Sequence, residues 1–468
     1  MRTRIKRIST MLFVGAAALL LAAPAISLAD ASEAEDVTAL AAVTAPQEGR
    51  AVRRMRDGNV ETYSSFTPDE TLSCTWADDT AIAGVYMEWY EPPRSVILVQ
   101  TDADGREISR EPIENPLYND FYPLESAARA LSVFSEDGMQ IAEFALYSAG
   151  DLPADVYDWM PPVEKADLLV VAAHCDDELL FFGGTIPYYA AERGLSVQVA
   201  YLSDVGRLRV DEALNALWHA GVRHAPVFLD LKDVYTETLQ DALTRWGEED
   251  ATTALISLIR RFTPEVIVTH DLDGEYGHGA HMATAYCMTN ALPLAADESA
   301  DPDSAAVYGA WQTKKLYLHL YGENAITMDW NIPLAAFGGK TALEVANEAY
   351  HMHVSQLEYH RNVYGSGAYS SANFGLAYSA VGPDEEKNDL FEHIDPAALT
   401  TYFAPAPSAT PAVTAAPTIA PAPEPTAKTE EPMQANNVSV FLIAGISAFA
   451  AAFAAAMAVV VLRKKKNK

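Results

Sequence analysis

Hydrophobic and polar positions change texture along the chain. Between about 66 and 150, short β-type runs (Gly84–Tyr90, Ser95–Gln100 and Gln140–Tyr147) alternate with turn signals such as Pro92-Pro93 and Asp104-Gly105. Runs of that length and punctuation predict a small β-sandwich. From 163 to 400 the pattern becomes strand–helix alternation. Continuous apolar runs at Asp167–Ala173, Val197–Leu202, Pro226–Leu231, Val266–His270 and Lys315–Leu320 read as buried strands. Helical periodicity fills 180–193, 208–220, Ala251–Phe262 and His278–Leu292. Strands that are apolar on both faces, separated by helices, predict an α/β fold.

The expected fold class is therefore α/β: a Rossmann-like, mostly parallel sheet with helices on both faces, preceded by a small β-sandwich. In such a sheet, ligands sit beyond the carboxyl ends of the strands. The sandwich loosely resembles galactose-binding-like (discoidin-type) modules, and its Trp and Tyr residues read more readily as core than as a sugar site.

Both ends of the chain add expectations about compartment. Four basic residues precede the uncharged apolar run Met11–Ala23, and Ser27-Leu28-Ala29 offers a small-x-small cleavage site, so 1–29 reads as a signal peptide. Val438–Leu462 is 25 residues without a charge and is followed by Arg463-Lys464-Lys465-Lys466. At ~1.5 Å per residue such a helix is about 37 Å long, enough to span a bilayer. The basic cluster after it should stay cytoplasmic. Eight prolines between 405 and 432 predict an extended stalk. The expected order is signal peptide 1–29, linker 30–65, β-sandwich 66–155, catalytic α/β domain 163–400, stalk 401–437, transmembrane helix 438–462 and basic tail 463–468. That order implies a single-pass protein of the cell membrane, anchored by its C-terminal helix, with the catalytic domain extracellular.

Charge narrows the partners. The chain holds 64 acidic against 32 basic residues, a net −32. Nine of the basic residues lie in the two end segments, so 30–462 carries 23 basic against 64 acidic groups, a balance of −41. A phosphate-backbone binder needs a positive face, so nucleic acid is excluded as a partner. Three cysteines, Cys74, Cys175 and Cys287, are too few for a disulfide framework.

Candidate chemistry falls on two strand ends. Ala173-His174-Cys175-Asp176-Asp177-Glu178 follows the first strand of the α/β region, and His270-Asp271-Leu272-Asp273-Gly274-Glu275-Tyr276-Gly277-His278-Gly279-Ala280-His281 follows the fourth. If both segments emerge on one sheet edge, their His and Asp side chains converge. These are ligand types that suit zinc, and a catalytic zinc site uses three of them plus a water. His278 and His281, three apart, share a face of a helix starting there. Of two adjacent carboxylates, one can bind a metal while the other moves a proton. No G-x-S-x-G elbow supports a serine hydrolase, and no G-x-G-x-x-G after the first strand supports a dinucleotide enzyme.

These two segments resemble the motifs of the LmbE/PIG-L family of zinc-dependent N-acetylglucosaminyl deacetylases. His174–Glu178 is similar to its AHPDDE motif, with Cys175 in the Pro position, and Asp273–His281 is similar to its second motif. Arg209-Val210-Asp211-Glu212 and His353-Val354-Ser355-Gln356 are weaker echoes. The likeness covers about 163–360. It implies Zn2+ held by His174, Asp177 and His281, with Asp176 as general base and Tyr276 and protonated His278 at the developing oxyanion. The implied activity is hydrolysis of the N-acetyl group of an N-acetylglucosamine-type glycoconjugate to acetate and free amine, with an amino-sugar-containing glycan as substrate. The competing expectation is a non-catalytic surface glycan-binding protein with a vestigial metal site.

Overall fold

The computed structural model describes residues 33–400, apart from 48, 78–80, 154 and 234. Two antiparallel sheets come first. One has the order β1-β3-β8-β5-β6, built from β1 (Ala41–Thr44), β3 (Leu72–Trp76), β5 (Ser95–Thr101), β6 (Glu107–Glu114) and β8 (Ala130–Phe134). The other has the order β2-β9-β4-β7, built from β2 (Ser64–Phe66), β4 (Gly84–Glu91), β7 (Asn119–Pro123) and β9 (Met139–Tyr147). Alternate residues of both sheets share one core: Leu72, Cys74, Val96, Leu98, Leu131 and Val133 from the first meet Val85, Met87, Trp89, Ile141, Phe144 and Leu146 from the second. β1 lies inside the stretch expected as a linker.

A seven-stranded sheet follows, with the order β12-β11-β10-β13-β14-β16-β15. Its strands are β10 (Leu168–Ala172), β11 (Val197–Asp204), β12 (Val227–Lys232), β13 (Val266–Thr269), β14 (Lys315–His319), β15 (Ala325–Thr327) and β16 (Asn373–Ser379). Leu168, Val170 and Ala172 pack into the core on one face, with helices Arg207–His219 and Ala342–Tyr350. Leu169, Val171 and Ala173 pack on the other, with helices Leu239–Trp246, Glu248–Phe262 and Gly279–Ala295. β10 pairs in parallel with both β11 and β13, so the winding direction reverses between β10 and β13. Loops leaving that reversal diverge and open a crevice at the strand ends.

The expected fold class needs correction. Strand pairing over the described residues is largely antiparallel, not that of a Rossmann-like parallel sheet. Both early sheets are antiparallel throughout, and the large sheet turns antiparallel where β16 pairs with β14 and β15. An apolar run records burial on two faces but not chain direction, so the return of β16 leaves no mark in the pattern. The predicted helix 180–193 is also broken. A short helix, Asp177–Leu180, gives way at Gly183, whose φ of 49° favours glycine, and a wider helical turn resumes at Pro187–Glu192. A Cβ on Gly184 would lie 2.7 Å from the Trp330 ring, so that close approach requires glycine.

The membrane expectations are corrected as well. No helix among the described residues is long and apolar enough to cross a membrane. Their longest, Gly279–Ala295, has 17 residues and contains Pro293, against the ~20 apolar residues that a span requires. The segments that suggested a signal peptide, a stalk and a C-terminal span lie outside the described residues. The expectation of a single-pass protein anchored by its C-terminal helix, with an extracellular catalytic domain, thus meets no spanning helix among the described residues.

One ion pair locks the large sheet where it turns antiparallel. Lys315, fully buried on β14, pairs with the buried carboxylate of Asp384, which also accepts the Tyr317 hydroxyl at 2.6 Å. Removing one partner of such a pair strands the other charge in the core. Asp384→Ala should therefore lower the unfolding free energy by about 3–5 kcal/mol. The midpoint of urea denaturation reads this out, and an unchanged midpoint would show that Lys315 finds another partner.

Candidate metal centre

The carboxyl ends of β10, β13 and β14 supply the buried polar groups of the crevice. His174, Asp176 and Asp177 follow β10, His270 and the loop to His281 follow β13, and His319 ends β14. His281 lies in the first turn of the helix Gly279–Ala295, and His278 caps that helix by accepting from the Ala280 N–H through Nδ1 at 3.3 Å.

Three atoms converge. His174 Nδ1 lies 3.1 Å from Asp177 Oδ2, and His281 Nε2 lies 3.3 Å from His174 Nδ1 and 3.4 Å from Asp177 Oδ2. Ligands on a tetrahedral centre with bonds of ~2.0–2.1 Å are separated by about 3.3 Å. The donor set and its spacing thus fit a zinc-sized divalent ion. The His281 tautomer agrees: its Nδ1–H donates to Glu275 Oε2 at 2.8 Å, leaving Nε2 bare toward the convergence point. His174 turns its other nitrogen, Nε2, toward Asp233, 3.6 Å away. His270 also approaches Asp177, but its Nε2 lone pair already accepts from the Ala173 N–H at 2.9 Å, so it is a neighbour and not a ligand.

Electrostatics separates the adjacent carboxylates. Burial works against the charge on Asp177, but the imidazoles of His281, His174 and His270 outweigh it and hold the group well below the usual carboxylate range. Asp176 is pushed up to about 7 by burial and by the charge of Asp177, against the pull of Arg209 and His353. Arg209 Nη2 donates to Asp176 Oδ1 and to the Cys175 carbonyl, both at 2.7 Å. Asp176 has φ 134°, a backbone region costly for any residue with a Cβ. The strain is held by this clamp and by the Asp176 N–H donating to Glu178 Oε2 at 2.8 Å. His278 was expected to be protonated. Burial and the neighbouring His281 and His174 instead push it down to about 3, and with Nδ1 occupied by the Ala280 N–H it presents a neutral Nε2–H.

A cavity of about 410 Å³ opens on this cluster, lined by His174, Asp176, Asp177, Arg209, Tyr276 and His278 among others. Tyr276, with φ 48°, is 44% exposed at its rim, and burial of its hydroxyl raises that group's pKa, so it stays a donor. The structure therefore brings all six predicted site residues to one place. Cys175 is not among the converging groups: its thiol is buried in the core, and burial raises its pKa. All three cysteines are free.

Residues 169–292 match the family model described as PIG-L, GlcNAc-PI de-N-acetylase. They form a PIG-L domain. The chain is 29% identical over 185 residues to 1D-myo-inositol 2-acetamido-2-deoxy-alpha-D-glucopyranoside deacetylase 1 of Catenulispora acidiphila, covering 33% of this chain and 56% of that protein. It is 31% identical over 179 residues to the 1D-myo-inositol 2-acetamido-2-deoxy-alpha-D-glucopyranoside deacetylase of Rhodococcus jostii, covering 32% and 60%. The chain thus spans about six-tenths of the length of these curated relatives. Among solved structures, N,N'-diacetylchitobiose deacetylase from Pyrococcus horikoshii is 16% identical, with a TM-score of 0.33, covering 43% of this chain and 74% of that one.

The PIG-L segment holds all six candidate residues, but several of their supports escaped sequence reasoning. Glu275 is fully buried and accepts from three imidazoles: His270 Nδ1 at 2.8 Å, His281 Nδ1 at 2.8 Å and His319 Nδ1 at 2.6 Å. His319, outside the matched segment, is the one histidine of the strand predicted over Lys315–Leu320 and could have been marked by its place near the strand's end. Asp233 carries no local signal. The echoes at 209–212 and 353–356 also reach the site. His353 Nε2 donates to Glu178 Oε1 at 2.9 Å, and Glu212 accepts from the Ser355 N–H and hydroxyl at 2.7 and 2.6 Å.

Partners that orient a metal-binding imidazole typically affect affinity by 10–100-fold when removed. Glu275→Gln keeps the shape but turns one acceptor into a donor facing an N–H. Metal affinity, measured by competition with a chelator, should fall by about that 10–100-fold range. An unchanged affinity would remove Glu275 from the support of His281.

Proposed function

We propose that this chain is a zinc-dependent N-deacetylase of an N-acetylglucosamine-type glycoconjugate, releasing acetate and a free amino sugar. The observation that carries the reading is the triangle of His174 Nδ1, Asp177 Oδ2 and His281 Nε2, with the Arg209-held carboxylate of Asp176 beside it at the floor of an open cavity. The substrate class comes from the relatives, whose names share one chemistry, removal of acetyl from 2-acetamido-2-deoxyglucose.

In this reading His174, Asp177 and His281 hold the ion. A zinc ion held there supplies Lewis acidity, polarising the acetamide carbonyl and making water a stronger acid. Asp176 accepts the proton of the attacking water, a task suited to a carboxyl poised near neutrality. Arg209 keeps one oxygen of Asp176 occupied and so aims the other. As the tetrahedral oxyanion develops, the Tyr276 hydroxyl and the neutral His278 Nε2–H donate to it. The C–N bond then breaks, and Asp176 returns its proton to the departing amine.

The two adjacent carboxylates provide the test. Asp176→Asn should retain zinc and lose ~10²–10⁴-fold in kcat, the usual contribution of a general base. Asp177→Asn should lose zinc and regain part of its activity in excess metal. Elemental analysis and acetate release from N-acetylglucosamine glycosides check both. Zinc loss in the first variant with full zinc in the second would reverse the roles, and wild-type protein that binds zinc without releasing acetate would favour a glycan-binding protein.

A further inference from the structure

Around the mouth of the catalytic cavity the surface is aromatic. Tyr235, Tyr276, Tyr359 and Tyr369 are 65%, 44%, 70% and 45% exposed. Tyr235, Tyr276, Tyr359 and His360 line the opening itself. Apart from Tyr359, these rings are linked: Tyr235 to His278 at 5.0 Å, His278 to Tyr276 at 5.7 Å, and Tyr276 to His360 at 5.7 Å and to Tyr369 at 6.5 Å between centroids. One exposed ring needs no explanation, whereas several gathered on one rim mark a contact surface.

The segment that carries Tyr359, His360 and Tyr369 is pinned. Tyr350 Oη donates to the His360 carbonyl at 3.1 Å, and His351 Nε2 to the Arg361 carbonyl at 3.0 Å. Asn347 donates to the Val363 carbonyl at 3.1 Å and accepts the Val363 N–H at 2.9 Å. The segment begins at His353 and Ser355, which Glu178 and Glu212 hold. A backbone fixed by so many side chains, with its rings left facing water, has met the ordering cost of binding in advance.

Charge selects the ligand. Among the described lining residues Arg209 is the one arginine or lysine, and it is committed to Asp176, while Asp176, Asp177 and Asp233 line the cavity too. With a divalent ion held by His174, Asp177 and His281, the three carboxylates and Arg209 are balanced overall, so the lining offers an anionic polymer no net attraction. A neutral pyranose suits it: its C–H face packs on an aromatic ring, and its hydroxyls find polar neighbours such as Gln356 and Asp233.

We propose that Tyr235, Tyr359, His360 and Tyr369 form sugar subsites flanking the acetamide cavity, and that the substrate is a neutral chain of several N-acetylated sugar units. This rests on the deacetylase reading and extends it from a single amino sugar to a polymer lying across the mouth. An aromatic contact of this kind is worth roughly 2–10-fold in affinity.

The test compares kcat/KM for acetate release from N-acetylglucosamine and from its β-1,4-linked pentamer. The pentamer should be at least about 10-fold better, the gain of two or more ring contacts. Tyr359→Ala and Tyr369→Ala should each lower the pentamer-to-monomer ratio by roughly 2–10-fold, chiefly through KM, and Tyr359→Phe should restore it. Equal kcat/KM for the two substrates would overturn the subsites and leave the deacetylase reading standing. Absence of acetate from both would sink that reading instead. Calorimetric titration of the pentamer into Asp176→Asn protein then judges the subsites alone: affinity lost on adding Tyr359→Ala supports them, and affinity unchanged by it overturns them.

Discussion

A single buried carboxylate fixes the geometry of this site. Glu275 accepts hydrogen bonds from His270 at the end of β13, His281 in the helix that follows, and His319 at the end of β14. Taking a carboxylate fully out of water costs several kcal/mol, and only charge-assisted hydrogen bonds of good geometry offset that. Three imidazoles provide them and hold Glu275 well below its ordinary pKa despite its burial. The constraint runs in both directions. The three rings hold Glu275 ionised, and Glu275 sets which nitrogen His270 and His281 protonate. His281 can offer Nε2 to the convergence point only because Nδ1–H is spent on Glu275.

Asp176 and Asp177 show how environment divides two identical side chains. Asp177 faces three imidazoles and stays ionised; Asp176 faces its charged neighbour and rises to about 7. The division depends on the turn between them. With φ 134° at Asp176, the chain directs successive carboxylates to different partners, one toward the histidines and one toward Arg209. Cys175, where the resembling motif has proline, contributes its carbonyl to the same arginine while its thiol fills core. The stiffness that a ring would give this turn comes here from Arg209, which grips the residues on both sides of the Cys175–Asp176 peptide.

Much of this was legible because burial leaves a signature. The run Leu168–Ala172 is apolar at every position, and a strand buried on two faces has no other option. The polar residues that end that run and Val266–Thr269 stand out against it, which is why both motifs could be placed on one edge. Strand direction was not legible. Nothing in Asn373–Ser379 says that it runs against β14, and the antiparallel character of the chain as a whole was missed. Long-range partners were hidden for the same reason. Asp233 faces His174 across a loop, and His319 reaches Glu275 over 44 residues, and neither spacing has a local period. The cap that His278 places on its helix was hidden too, because a cap is invisible until the N–H that it accepts has a position.

The start of the helix Arg207–His219 gathers these parts. Arg207 donates to the Trp89 carbonyl of the early β-sheets at 3.0 Å, Arg209 grips Asp176, and Glu212 holds Ser355 at the root of the aromatic rim. Six consecutive residues thus touch the antiparallel sheets, the strained carboxylate and the segment over the cavity. A helix is stiff over so short a span, so the three contacts share one rigid body. Arg207 is buried among Tyr118, Glu88 and Asp211, and its Nη atoms make no hydrogen bond, so its charge is balanced by longer-range attraction alone. That arrangement tolerates small displacements of the antiparallel sheets without releasing the helix. Arg209, with both its bonds at 2.7 Å, does not, and the tighter tolerance sits at the carboxylate whose aim matters most.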